Sequence, residues 1–153
     1  MKQRSAGLKL RGEFLVETRD IYTGEVLDRE LKKNLVVTAG LVEAIKLLGG
    51  VAATAFNAIA IGTGTTGALA GDTTLETEVE REAVTAAYEA TAKITFEKTF
   101  EFASGDSYAI TEAGILNTTD SGGDLFNRVT FTAKNVTSDI ALYVKSTITA
   151  STS

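Results

Sequence analysis

Three glycines, Gly62, Gly64 and Gly67, fall in AIAIGTGTTG (residues 58–67) at the spacing of a dinucleotide-binding GxGxxG loop. Glu82 stands about 20 residues past the first of them, where such a loop has its ribose-binding acid. That chemistry requires a strand to feed through the glycines straight into a helix whose N-terminus meets the pyrophosphate. Here ALAGDTT follows Gly67, so Gly71 and Asp72 fall where the second helical turn would be. The residues therefore predict a glycine-rich turn and no cofactor. A phosphate-binding P-loop is excluded more simply, because Ala68 and Leu69 stand in place of its Lys and Ser/Thr.

The remaining chemistry is limited by what the chain lacks. With no His, Cys, Trp or Pro, it has no Ser-His-Asp triad, no thiol nucleophile, no zinc site of the usual N/S kind and no haem ligation by His or Cys. Carboxylate, Lys or Tyr chemistry and oxygen-ligand metals remain. Asn117, Asp120 and Asp124 in NTTDSGGD offer oxygen ligands at close spacing, but they miss the EF-hand pattern and suit an ordinary turn, so no metal is assigned. Glu76, Glu78, Glu80 and Glu82 in DTTLETEVEREAV read as a solvated acidic face with Arg81 among them. Asn117 and Asn135 begin NxT sequons, which with no secretion signal read as chance matches. The expectation is a protein that is not an enzyme.

Charge is distributed unevenly. Residues 1–12 carry Lys2, Arg4, Lys9 and Arg11 with no acid, while the other 141 residues carry 11 basic against 20 acidic groups, a net −9. A basic N-terminal arm, residues 1–12, thus precedes a single β-rich domain, residues 13–153. The four cations are the candidate assembly residues, docking on an acidic neighbour such as another copy of the chain. Nucleic acid is not an expected partner, because the arm has no aromatic for base stacking and the body repels phosphate. No membrane partner is expected either, since no apolar run approaches a spanning length. The N-terminus has no apolar signal-peptide core, so cytoplasmic synthesis is expected.

The elements follow from periodicity. Residues 13–33 read as a hairpin turning at Gly24, and NLVVTAGLVEAIKLLGG as a helix capped by Thr38 and ended by Gly49 and Gly50. Leu41, Ile45 and Leu48 share one helical face and are expected to pack on a sheet. Residues 72–84 are expected to be a short helix or irregular, since a strand would set four glutamates on one face. From residue 91 the chain alternates with period two. Ile94, Phe96, Phe100 and Phe102 point inward, then Val129, Phe131 and Ala133, then Ile140, Leu142, Val144 and Ile148. The predicted fold is mainly β, an antiparallel β-sandwich or small barrel with an N-terminal hairpin and one packed α-helix.

Two segments, NAIAIGTGTT with GDTTLETEVERE and ITEAGILNTTDSGGDLFNRVTF, resemble small structural proteins of tailed-bacteriophage virions. The matching residues are Gly62, Gly64, Asp72, Leu75, Glu78, Arg81, Thr111, Glu112, Gly114, Leu125, Arg128 and Phe131. The TGEV hairpin and the NLVVTAG segment extend the similarity over most of residues 13–148. The resemblance implies a virion localisation and a role as a decoration, cement or accessory subunit of the capsid. Its alternative is an adaptor in the neck, tail or fibre. The implied partners are copies of the chain and other virion proteins of the capsid or tail, and both chain ends are expected to be held by neighbouring subunits. A carbohydrate-binding β-sandwich, with Tyr88, Tyr108 or Tyr143 stacking on sugar rings, is the rival from another class.

Overall fold

The computed structural model describes residues 7–152. In chain order its elements are β1 (Leu8–Asp20), β2 (Val26–Lys33), β3 (Leu35–Val36), α1 (Thr38–Leu48), β4 (Ala58–Gly62), β5 (Glu78–Ala83), β6 (Ala87–Glu89), β7 (Lys93–Phe100), β8 (Ser107–Leu116), β9 (Leu125–Thr137) and β10 (Ile140–Thr152). Every strand pairing is antiparallel. One layer runs β2-β1-β10-β7-β6 and the other β3-β9-β8-β4-β5. The layers connect through the β9–β10 hairpin, at Ile140↔Thr137, and the sheet does not close into a barrel. Of the two architectures the sequence allows, the chain adopts the sandwich-like one.

The alternating segments supply the core. Phe14, Val16, Phe96, Phe100, Leu142, Val144 and Ile148 of the first layer meet Ile59, Ile61, Ile115, Val129 and Phe131 of the second. Each such side chain contributes roughly 1.5–3 kcal/mol on burial. A smaller core of Val37, Ala60, Leu75, Leu116 and Leu125 lies apart from the first. Thus β8 is covered on both faces, and its last seven residues are all buried.

Charged groups span the two flanks between the layers. Lys134 Nζ, on β9, lies 2.9 Å from Glu30 Oε1 and 3.1 Å from Asp28 Oδ2, both on β2. Burial opposes the Lys134 charge, but the hydrogen bonds and charges of Glu30 and Asp28 outweigh it and raise its pKa above the ordinary ammonium value. Burial likewise opposes the charge on Glu30, and Lys134 with the Thr132 N–H outweighs it, so that carboxyl titrates below its usual range. Hydrogen bonding to Lys134 and to the Arg29 N–H lowers Asp28 as well. On the other flank the ion pair among the described residues is looser, Lys98 Nζ to Glu82 Oε2 at 3.9 Å.

Four expectations are corrected. Helix α1 forms, but Leu41, Ile45 and Leu48 are 47, 63 and 78 % exposed. The face that docks is set by Gly40, where an added Cβ would strike the Phe126 carbonyl oxygen, so only glycine allows the helix this close to β9. Its buried residues are Gly40 and Glu43, with Glu43 paired to Lys46 at 3.0 Å. The N-cap is Val37 with no side-chain cap, and the Thr38 N–H donates to the Ala70 carbonyl at 2.9 Å instead.

Residues 78–83 form a strand because their acids do not act alike: Glu78 pairs with Arg81, Glu82 faces Lys98, and a register shift at Ile61/Gly62 moves Glu78 out of step. Ala133 is exposed and Lys134 buried, because the β8–β9 register shift between Ile110 and Glu112 reverses the inward phase of β9. The outermost chain ends, expected to be held by neighbouring subunits, lie outside the described residues; within these, β1 and β10 pair from Leu8↔Thr152 inward.

Candidate functional site

Most residues of the resemblance converge on one buried centre on the second layer. Glu112 of β8 faces Gly62 of β4 in the ladder, while Arg128 of β9 sits opposite Gly114. Gly114 has room only for hydrogen, since a Cβ there would come within 2.6 Å of the Asn127 carbonyl oxygen and 2.8 Å of Leu125. Leu75 packs into that space from the 63–77 loop.

Glu112 is fully buried and fully engaged. Its Oε1 accepts the Gly64 N–H at 3.0 Å and the Thr77 N–H at 2.7 Å, and its Oε2 accepts the Glu76 N–H at 3.0 Å and Arg128 Nε at 2.9 Å. Gly62 and Gly64 both press on this carboxylate; a Cβ on either would reach Oε1 at 2.6 Å. Arg128 completes its fork by donating Nη1 to Asp72 Oδ2 at 3.0 Å and Nη2 to the Thr66 carbonyl at 2.8 Å. Burial works against the guanidinium charge, yet the hydrogen bonds and charges of Glu112 and Asp72 prevail and raise its pKa further. The Thr111 hydroxyl donates to the Gly64 carbonyl at 2.7 Å, and Glu76 Oε1 accepts from Thr65 N–H at 3.0 Å.

The glycine-rich stretch is therefore a loop fastened through its backbone, and β5, not a helix, follows it. Four donors occupy the Glu112 carboxylate and three acceptors the Arg128 fork, so the arrangement holds the 63–77 loop against the sheet. An open hollow of about 320 Å³ beside Arg128 is lined by Thr66, Gly71 to Glu76 and Arg128 itself.

A second cluster involves Arg81, whose Nε and Nη2 donate to Glu78 at 3.1 and 2.7 Å. Its Nη1 donates to the carbonyls of Thr118 at 3.1 Å and Gly122 at 2.9 Å, and to that of Asp120. The Asn117 to Asp124 turn is cross-linked internally: the Asp124 N–H donates to Asn117 Oδ1 at 2.7 Å, and Asn117 Nδ2 donates to Asp124 Oδ2 at 3.2 Å. Among the described residues no three acidic side chains form a metal-holding group. Of the matching residues, Glu78 and Arg81 belong to this second cluster, and Phe131 lies apart from both, in the main core.

Lys9 and Arg11 lie in β1, within the ladder to β10, whereas Lys2 and Arg4 fall outside the described residues. The three tyrosines do not form one platform. Tyr108 packs on Phe102 with ring centroids 5.9 Å apart. Tyr143 lies beneath the Arg19 guanidinium, 3.9 Å from its centroid, and its hydroxyl donates to Glu97. Burial, then Glu97, pushes its pKa up to about 12. Tyr88 is exposed on β6.

The sequence reading missed a groove of about 840 Å³ between the start of β1, residues 33–36 and α1. Leu8, Leu35 and Leu41 leave apolar surface there, and Lys9, Arg11, Lys33 and Lys93 line it with Glu13 as the one acid. The available signal was Gly40: assigning it to the packed face would have turned Leu41 outward. No protein-family model matches the chain, and no curated protein or solved structure matches it.

Proposed function

We propose that the chain is a non-enzymatic structural protein of a tailed-bacteriophage virion, a decoration, cement or accessory subunit of the capsid that assembles with copies of itself and other virion proteins. The observation that carries this reading is the coincidence of Gly62, Gly64, Asp72, Thr111, Glu112 and Arg128, all residues of the resemblance, in one saturated network. Residues recurring for a fixed loop on a β scaffold serve shape. The exposed apolar row of α1 adds surface suited to mating.

Quantitative mass spectrometry of purified particles from a phage encoding this chain tests the proposal. Hundreds of copies per particle are the expected result, and six or twelve would move the subunit to a neck or tail ring. Absence from intact particles would refute the virion role.

A further inference from the structure

The groove at the start of β1 combines three features that each lack a partner. The first is backbone. The β1–β2 ladder begins at Glu13↔Lys33, and the Asn34 N–H donates to the Gly12 carbonyl at 3.1 Å. The Gly12 carbonyl thus points away from β10, and by the alternation of an antiparallel strand so do the peptide groups of Leu10 and Leu8. Among the described residues no strand pairs with them there. The second is the Asn34 side chain, which lines the groove against Gly12 with both amide atoms buried and no hydrogen-bond partner. A buried amide left this way costs stability until something supplies a donor and an acceptor. The third is charge: Lys9, Arg11, Lys33 and Lys93 have no ion pair among the described residues.

The complementary surface lies at the other end of the strand order. Strand β5 pairs with β4 alone, leaving its outer edge unladdered. Glu80 and Glu82 stand on it, with Asp106 near Glu80, and among the described residues their one ion pair is the loose Lys98–Glu82 contact. Burial, then Glu82 and Asp106, raises the Glu80 pKa, the mark of an acidic edge short of cations.

We infer that the β1 groove receives the β5 edge of a second copy of this chain, strand beside strand, with Lys9 and Arg11 of one copy facing Glu80 and Glu82 of the next. Pairing two β1 edges instead would set Lys9 and Arg11 against their own kind, which disfavours the symmetric alternative. Two different surfaces make the contact head-to-tail, so it propagates from copy to copy and either closes into a ring or grows as a chain. The incoming backbone supplies hydrogen bonds to Leu8 and Leu10, and to the Asn34 amide once that side chain turns out from against Gly12, while Leu8, Leu35 and Leu41 give it an apolar seat. The inference deepens the assembly reading above and rests on it.

Sedimentation velocity and native mass spectrometry of the full-length chain, at low and high salt, test this contact. The wild type is expected to form oligomers that salt weakens. K9E/R11E and E80K/E82K, each checked for a native circular dichroism spectrum and melting curve, are expected to weaken self-association by roughly tenfold or more. Each variant repels its own kind but offers both kinds of complementary surface to the other, wild-type edge to wild-type groove and reversed edge to reversed groove, so mixing the two should restore association in oligomers that alternate the variants. Carrying all four changes in one chain should restore self-association. A wild type that stays monomeric at every concentration would overturn the inference, as would oligomers indifferent to either pair of reversals or a mixture that does not associate. These outcomes are independent of the particle census: a virion subunit that is monomeric in solution sinks only this contact, and an associating chain absent from particles sinks only the virion role.

Discussion

Replacing Glu112 by Gln tests whether the buried carboxylate holds the 63–77 loop. Glutamine keeps the shape but exchanges one oxygen for an NH2 group. Whichever oxygen is lost, two donors then face a donor: Gly64 and Thr77 N–H at one position, or Glu76 N–H and Arg128 Nε at the other. Two unsatisfied buried donors cost about 1–3 kcal/mol each. Removing one partner of a buried ion pair costs about 3–5 kcal/mol. These contributions overlap, and Asp72 still faces Arg128, so the expected loss is about 4 kcal/mol out of a total stability of roughly 5–15 kcal/mol. At roughly 2–4 °C per kcal/mol for a domain of this size, Tm should fall by about 8–16 °C. Urea and thermal unfolding followed by far-UV circular dichroism give both quantities, and hydrogen exchange should quicken most in residues 63–77. Glu112→Leu combined with Arg128→Met should cost less than the two single changes added together. A Gln variant that loses under about 1 kcal/mol with an unchanged denaturant slope would refute the reasoning.

Gly40→Ala should push α1 off Phe126 and destabilise the fold by about 1–3 kcal/mol, with exchange protection lost across residues 38–48. Arg81→Ala strips the donor from the Thr118, Asp120 and Gly122 carbonyls, so amide exchange in residues 118–124 should rise at least tenfold while the core stays protected. The seam of Lys134 with Glu30 and Asp28 stabilises at neutral pH; this stability is lost as pH rises through the raised Lys134 pKa, and as it falls through the lowered carboxyl values. Lys134→Met should flatten both slopes of stability against pH, and an unchanged profile would contradict the assignment. Tyr143 contributes stability in full below its unfolded pKa of about 10 and loses it as pH rises through about 12, so Tyr143→Phe should remove one late-ionising tyrosine from an ultraviolet titration.

The parts of the fold legible in the sequence were those where burial follows a local period. Phe96, Phe100 and Phe102 point inward as the alternation requires, and so do Leu142, Val144 and Ile148. Gly24 turns the first hairpin with positive φ, and Gly50 follows the end of α1 with the same sign. Where contacts distant in sequence decide, local pattern misleads. The hydrophobic row of α1 predicts that row as the packing face, but the close approach of Gly40 to Phe126 selects the other side. Ala133 keeps the period of its neighbours, but a bulge in its own strand, where residues 131–133 stand against Thr111 alone, reverses the phase. The Glu112 centre had no local signature, because a glutamate within a buried strand is explained only by donors 16 to 48 residues away. Similarity of motif pointed to those residues; their bonding had to be seen in three dimensions.

The long β1–β10 ladder also fixes how the molecule answers to tension. Leu8 and Thr152 sit side by side at one pole, with thirteen cross-strand pairs running from them to Asp20 and Ile140. A load applied through those two residues does not shear the ladder along its length; it peels the pairs apart in succession, beginning beside the groove. Such a joint yields at low force, so a molecule gripped there would open like a zip fastener, while one gripped across its broad faces would bear the same pull with both layers intact.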